Sequence, residues 1–130
     1  NNTMNLLYCF IQWRHTMNVW DYTTVGGKDL IDDYLNNLQA YEKAEGYRIK
    51  IFLEKEGLLA FDLLITRQLK GKLWEIKFAK NRFMYVIADK DNLYILNACR
   101  KQKGKAEQYE LNKTIKRVKE LQIKLGKVFI

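Results

Sequence analysis

The segment GKLWEIKFAKNRFMYV, Gly71 to Val86, places Glu75, Lys77, Lys80 and Arg82 around one short break in an alternating pattern. More cations recur downstream, at Arg100, Lys101, Lys103 and Lys105. A guanidinium offers a planar fork of donors that matches phosphate oxygens, and an ammonium adds a compact positive charge. Gathered on one side of a fold, these groups would hold a phosphate-bearing partner. A carboxylate among them, Glu75, can take a proton or orient a cation.

The charge distribution points the same way. The net charge of the 130-residue chain is +8, and it is unevenly placed. Residues 1–66 carry 6 Lys/Arg against 9 Asp/Glu, net −3, whereas residues 67–130 carry 17 against 6, net +11. A basic half beside an acidic half makes a directed field and implies a polyanionic partner. The bland reading of such a sheet face is a solvated surface, because a basic patch is only an electrostatic footprint.

Other chemistries find little support. The single histidine, His15, lies near the N-terminus, so no His-based triad can form in the main domain. No Cys/His spacing suggests a metal site, and no phosphate-binding glycine loop or dinucleotide fingerprint is present. No cofactor is expected. Cys9 and Cys99 make no disulfide framework and read as free thiols, which implies a cytoplasmic protein. No apolar run is long enough to span a membrane.

These residues need elements to position them. Residues 1–16 read as an N-terminal extension, with Met17 as the natural start, or as an extra element packed on the fold. Residues 17–130 read as one domain. Asn18–Thr24 alternates like a strand. Ile31, Tyr34, Leu35, Leu38 and Tyr41 recur at helical spacing behind the acids Asp29, Asp32 and Asp33. Gly46 reads as a bend, followed by a second helix over about 47–56 with Ile49, Phe52 and Leu53 inward. Leu58–Ile65 reads as a short helical turn or loop on the core. From Arg67 the chain turns to strands, with a short one into Gly71 and then KLWEIKF, NRFMYVIAD and LYILNACR as a meander. A helix over about 106–125 closes the chain, with Leu111, Ile115, Val118, Leu121 and Leu125 on one face. The expected class is α+β: an N-terminal strand, two helices, an antiparallel meander and a C-terminal helix. In the first meander strand, Trp74, Ile76 and Phe78 are expected in the core, with Glu75 and Lys77 on a wet face. Arg82, opening the next strand, is expected to be exposed.

The run LKGKLWEIKF…NRFMYVIADKDNLYILNACRKQKGK resembles the phage-derived HigB-like toxins of the RelE/ParE toxin–antitoxin superfamily. Leu73-Trp74-Glu75-Ile76-Lys77 is similar to the family's Leu-Trp-Glu-Leu-Arg strand, with Lys77 where Arg is usual. Arg82-Phe83-Met84-Tyr85 resembles the next strand, and Arg100-Lys101 with Lys105 part of the basic ending. Asn97 stands where a His is common. The resemblance implies a RelE-like fold and a toxin that cuts mRNA on the translating ribosome. It also implies a cognate helix-turn-helix antitoxin. RNA cleavage through its own 2′-OH needs a base, an acid and positive charge on the phosphorane. On this reading Arg82, Lys77, Glu75 and Arg100 are catalytic, and Arg67, Lys80, Lys101, Lys103 and Lys105 contact RNA. Tyr85 is the nearest acid. The alternative is a binding protein on the same fold, either catalytically inactive or directed at gyrase.

Phosphate contacts predict a steep salt response. Binding of single-stranded RNA should weaken with a log–log slope of about −0.7 per phosphate neutralised. Fluorescence anisotropy across a salt series measures that slope, and a flat response would rule out a phosphate-contact site.

Overall fold

In the computed structural model, residues 16–130 are described. The chain runs β1 (Asn18–Asp21), α1 (Leu30–Asn36), α2 (Ala40–Glu56), a 3-10 helix (Gly57–Leu63), β2 (Thr66–Lys70), β3 (Leu73–Phe78), β4 (Asn81–Asp89), β5 (Asn92–Arg100) and α3 (Gly104–Leu125). The strands form one mixed sheet of five in the order β1-β5-β4-β3-β2. β2 to β5 are antiparallel neighbours, while β1 lies parallel to β5. This is the α+β architecture expected from the sequence. The segment proposed as an N-terminal extension lies, up to residue 15, outside the described residues.

The sheet is covered on both faces. Ile76, Phe78, Phe83, Tyr85, Leu93 and Ile95 point to the side where Ile31, Leu35, Ile49 and Leu53 of α1 and α2 pack. Leu73, Met84, Val86 and Leu96 point to the other side, against Val118 and Leu121 of α3. Alternation in β4 therefore separates two buried faces, and Asn81 to Val86 are all buried. This corrects the expected wet face. Glu75 is 0% exposed, because α3 lies over the face it points to. Trp74, expected in the core, is instead 36% exposed. It lines an open cleft of ≈ 320 Å³ with Phe61 of the 3-10 helix, Tyr85 and Ile87.

The helices differ in extent from their sequence pattern. α1 starts where the Asp29 carboxylate accepts from the Ile31 and Asp32 amides, a side-chain cap at the positive helix end. It stops at Asn36, and Tyr41 falls in α2, largely exposed. Gly46 is no bend. It lies buried inside α2, where a Cβ would stand 2.5 Å from Leu35 Cδ2 and 3.1 Å from Phe78 Cε2. The glycine lets α2 approach both α1 and the sheet. α2 is further tied to β1 by Lys50 Nζ, 2.6 Å from the Asp21 carboxylate.

A two-residue turn joins β3 and β4, and Ala79 in it takes a positive φ of 50°. Such tight hairpins favour left-handed turn residues. The turn puts Lys80 beside the end of β5, where the Lys101 amide donates to the Lys80 carbonyl at 2.7 Å.

The Gly46 contact carries a prediction. Gly46→Ala gains about 1 kcal/mol of helix propensity. It overpacks a site closed by two buried side chains, at a typical cost of about 1–3 kcal/mol. Urea denaturation should show net destabilisation, and an unchanged or raised midpoint would refute the close-packing role.

Candidate functional site

Strand register decides which sequence-predicted residues meet. Arg67 pairs with Glu75, Lys77 with Arg82, and Arg82 with Cys99. Directly paired residues share a sheet face, so Arg67, Glu75, Lys77 and Arg82 all point toward α3. Glu75 is the hub. Arg67 Nε donates to its Oε1 at 2.6 Å, and Arg82 NH1 donates to the same oxygen at 3.3 Å. Arg82 Nε stands 3.1 Å from Oε2. From α3, Glu107 Oε1 accepts from Arg67 NH2 at 2.9 Å and lies 3.8 Å from Arg82 NH1. Two guanidiniums and two carboxylates thus converge beneath the first turns of α3. Hydrogen bonds from Arg67 to Glu107, and then to Glu75, hold the Arg67 pKa above its ordinary value.

The two arginines differ in access. Arg82 is only 3% exposed, because Glu75 and the start of α3 enclose it. This corrects its expected exposure. The Arg67 side chain, on the edge strand, is 46% exposed. Lys77 is partly exposed next to Arg82.

Arg100 does not join this group. The residue lies at the end of β5, where its side chain crosses to the α2 side of the sheet. Its NH1 and NH2 donate to Glu42 Oε1 and Oε2 at 3.2 and 3.1 Å. Those bonds hold the Glu42 carboxyl below its usual range. Nearby, the Tyr34 hydroxyl donates to Asn81 Oδ1 at 2.5 Å, and burial pushes its pKa up to about 12. Lys80, Lys101, Lys103 and Lys105 are exposed along the same end of the sheet and the approach to α3. The cations therefore form one buried arginine, Arg82, flanked by the half-exposed Arg67 and an exposed lysine rim, rather than one wet face.

Candidate proton carriers are constrained. Tyr85 points to the opposite face, stacked on Phe61 with ring centroids 5.4 Å apart. Its burial raises its pKa and separates it from Glu75 and Arg82. Asn97 faces α3 and donates to Glu110 Oε2 at 3.1 Å. Cys99, buried beside Arg82, has its thiol pushed up to about 12 by burial, then by the charge of Glu110. A thiol so placed is no nucleophile near neutral pH. Among the described residues, no group of three or more His, Cys, Asp or Glu side chains is placed to hold a metal ion. No described helix is long and apolar enough to cross a membrane.

Sequence reasoning missed Glu42 and Glu107. Each lies in the first turn of its helix, where an acid is unremarkable, and only the packing of α2 and α3 brings it to an arginine.

The profile of the family described as Phage derived protein Gp49-like (DUF891) matches residues 33–119. The chain belongs to this family. Gp49-like proteins are HigB-like toxins of the RelE superfamily. A search of curated proteins finds no match. The matched stretch of this Gp49-like protein includes Glu42, Arg67, Glu75, Arg82, Arg100 and Glu107, and leaves out β1.

The buried pair predicts asymmetric mutational costs. Arg82→Ala breaks the buried pair, leaving Glu75 in the interior with Arg67 alone, and should cost about 3–5 kcal/mol. Replacing both partners together, Glu75→Leu with Arg82→Met, should recover most of that loss. Urea titrations of the single and double variants measure the coupling. A loss near 0.5 kcal/mol for Arg82→Ala, typical of an exposed site, would contradict the burial.

Proposed function

We propose that this Gp49-like protein is the toxin of a type II toxin–antitoxin pair, a ribosome-dependent endoribonuclease that inhibits translation in the cytoplasm. The observation that carries the reading is the convergence of Arg67 and Arg82 on Glu75, beside Lys77 and a lysine rim. The reaction is attack of a 2′-oxygen on the adjacent phosphorus with departure of the 5′-oxygen. A proton leaves the 2′-OH and one is delivered to the leaving oxygen, so no protein nucleophile is consumed. Negative charge grows on the phosphorane, and guanidiniums fixed before the reaction stabilise it most. Arg82 and Arg67 take that role, with Glu75 as the carboxylate that aims both. Lys77 adds field. Arg100, Lys80, Lys101, Lys103 and Lys105 guide the RNA along the rim. A helix-turn-helix antitoxin is the expected neutralising partner.

A second reading has two observations in its favour. Arg82 is enclosed, and Asn97, at the position where the family resemblance implies that a His is common, is engaged with Glu110. A binding protein without catalysis, including one directed at gyrase, fits those facts.

Inducing the chain alone in bacteria and mapping mRNA ends against ribosome position separates the readings. Growth arrest with cleavage inside translated frames is expected. Arrest with intact mRNA selects the binding reading, and normal growth with soluble protein removes both. In a purified assay, held well below the melting temperature of each variant, Arg82→Ala should slow cleavage roughly 100- to 1,000-fold. It should weaken RNA binding much less. Arg82→Lys should restore part of the rate, because it keeps the charge but not the fork. An Arg82→Ala rate near wild type would remove Arg82 from the site.

A further inference from the structure

The start of α3 is attached to the sheet in an unusual way. Residues 104–113 include no fully buried side chain, and burial along the helix begins at Thr114. Lys103, at the N-cap, makes no side-chain cap bond. Gly104 has φ of 62°, with open space where a Cβ would be. Before Leu111, the hydrogen bonds and ion pairs recorded from this helix to the sheet are made by carboxylates. Glu110 accepts from Asn97, and Glu107 reaches Arg67 and Arg82.

Glu107 is chemically matched to the position it occupies. Its Oε1 lies between two guanidiniums, 2.9 Å from Arg67 NH2 and 3.8 Å from Arg82 NH1. A phosphodiester oxygen would make the same charge-assisted contacts. The Glu107 side chain is 35% exposed, so the position it holds is reached from solvent. Glu75 has no such opening, because it is wholly buried. Of the two carboxylates on these arginines, only Glu107 can leave without stranding a charge in the interior.

We infer that Glu107 is a built-in stand-in for the RNA phosphate, occupying the anion site between Arg67 and Arg82. Substrate must displace it, and the weakly anchored first turns of α3 move with it. The inference rests on the reading of these two arginines as phosphate ligands, and it names the group that regulates them. The simpler role for Glu107 is a first-turn acid that favours the helix dipole. That role affects helix stability and leaves anion affinity unchanged.

The test uses inorganic phosphate as the probe and the full chain, by titration calorimetry at low salt. Glu107→Gln should tighten phosphate binding by about tenfold, the scale of one lost competing charge contact. Glu110→Gln changes net charge equally and loosens the same turns, yet leaves the arginines occupied, so it should shift affinity by less than about twofold. Equal affinity in Glu107→Gln and wild type, or an equal gain in both variants, would overturn the inference. Wild-type protein gives an independent check should Glu107→Gln fold poorly. Hydrogen exchange at residues 104–110 should quicken when phosphate saturates the site, and unchanged or slower exchange would count against displacement. If Glu107→Gln binds phosphate more tightly but neither protein cleaves RNA, the inference stands and the nuclease reading falls.

Discussion

A carboxylate with no access to water sits at the centre of this molecule. Burying Glu75 carries a desolvation cost of several kcal/mol, which only close, well-aligned cations offset. From the two strands that flank β3, Arg67 supplies a hydrogen bond of 2.6 Å, and Arg82 a longer one of 3.3 Å with its Nε 3.1 Å from the second oxygen. The pair constrains much around it. It sets which face of β2, β3 and β4 turns toward α3, because a one-residue slip would send every one of these charges to the other side. It also holds two guanidiniums rigid at the base of a helix whose first turns are only lightly fixed.

Covering both sheet faces divides the basic residues into two systems. On the α3 side, Arg67 and Arg82 share Glu75 and Glu107. On the α2 side, Arg100 is held in a two-pronged pair by Glu42. Both systems lie toward the β3–β4 turn and the end of β5, so an extended polyanion running past that end would meet both. Each arginine is fixed by a carboxylate before any ligand arrives. Such fixing limits reorganisation when charge develops, which is where preorganised donors act most strongly. It also means that a ligand competes with an acid already in place.

Family membership and geometry answer different questions. The Gp49-like match spans the helices and strands that bear the two arginine systems, and it identifies the lineage as toxin-like. Function depends on the site, since one fold hosts many activities. Here two guanidiniums converge as the proposed phosphate site requires, while the groups considered as proton carriers are turned away or already engaged. Tyr85 faces away, Cys99 is held protonated by burial, and Asn97 offers an amide where an imidazole would exchange protons.

Periodicity alone determined the element order, the class and most of the α3 core, because Val118 and Leu121 recur at helical spacing on an otherwise basic helix. The grouping of Glu75, Lys77 and Arg82 was also legible, since alternation and a two-residue turn place them on one face. Whether that face was wet was not. A strand pattern of polar against apolar residues reads as solvent against core, but Glu75 and Arg82 neutralise each other, so a polar pair can lie under a helix. Trp74 is the converse, an apolar ring on β3 that lines an open cleft. Arg100 and Glu42 are 58 residues apart, and Arg67 and Glu107 are 40 apart. No local spacing encodes such pairs. They exist because α2 and α3 pack on opposite faces of one sheet, and only the tertiary structure settles which acid reaches which arginine.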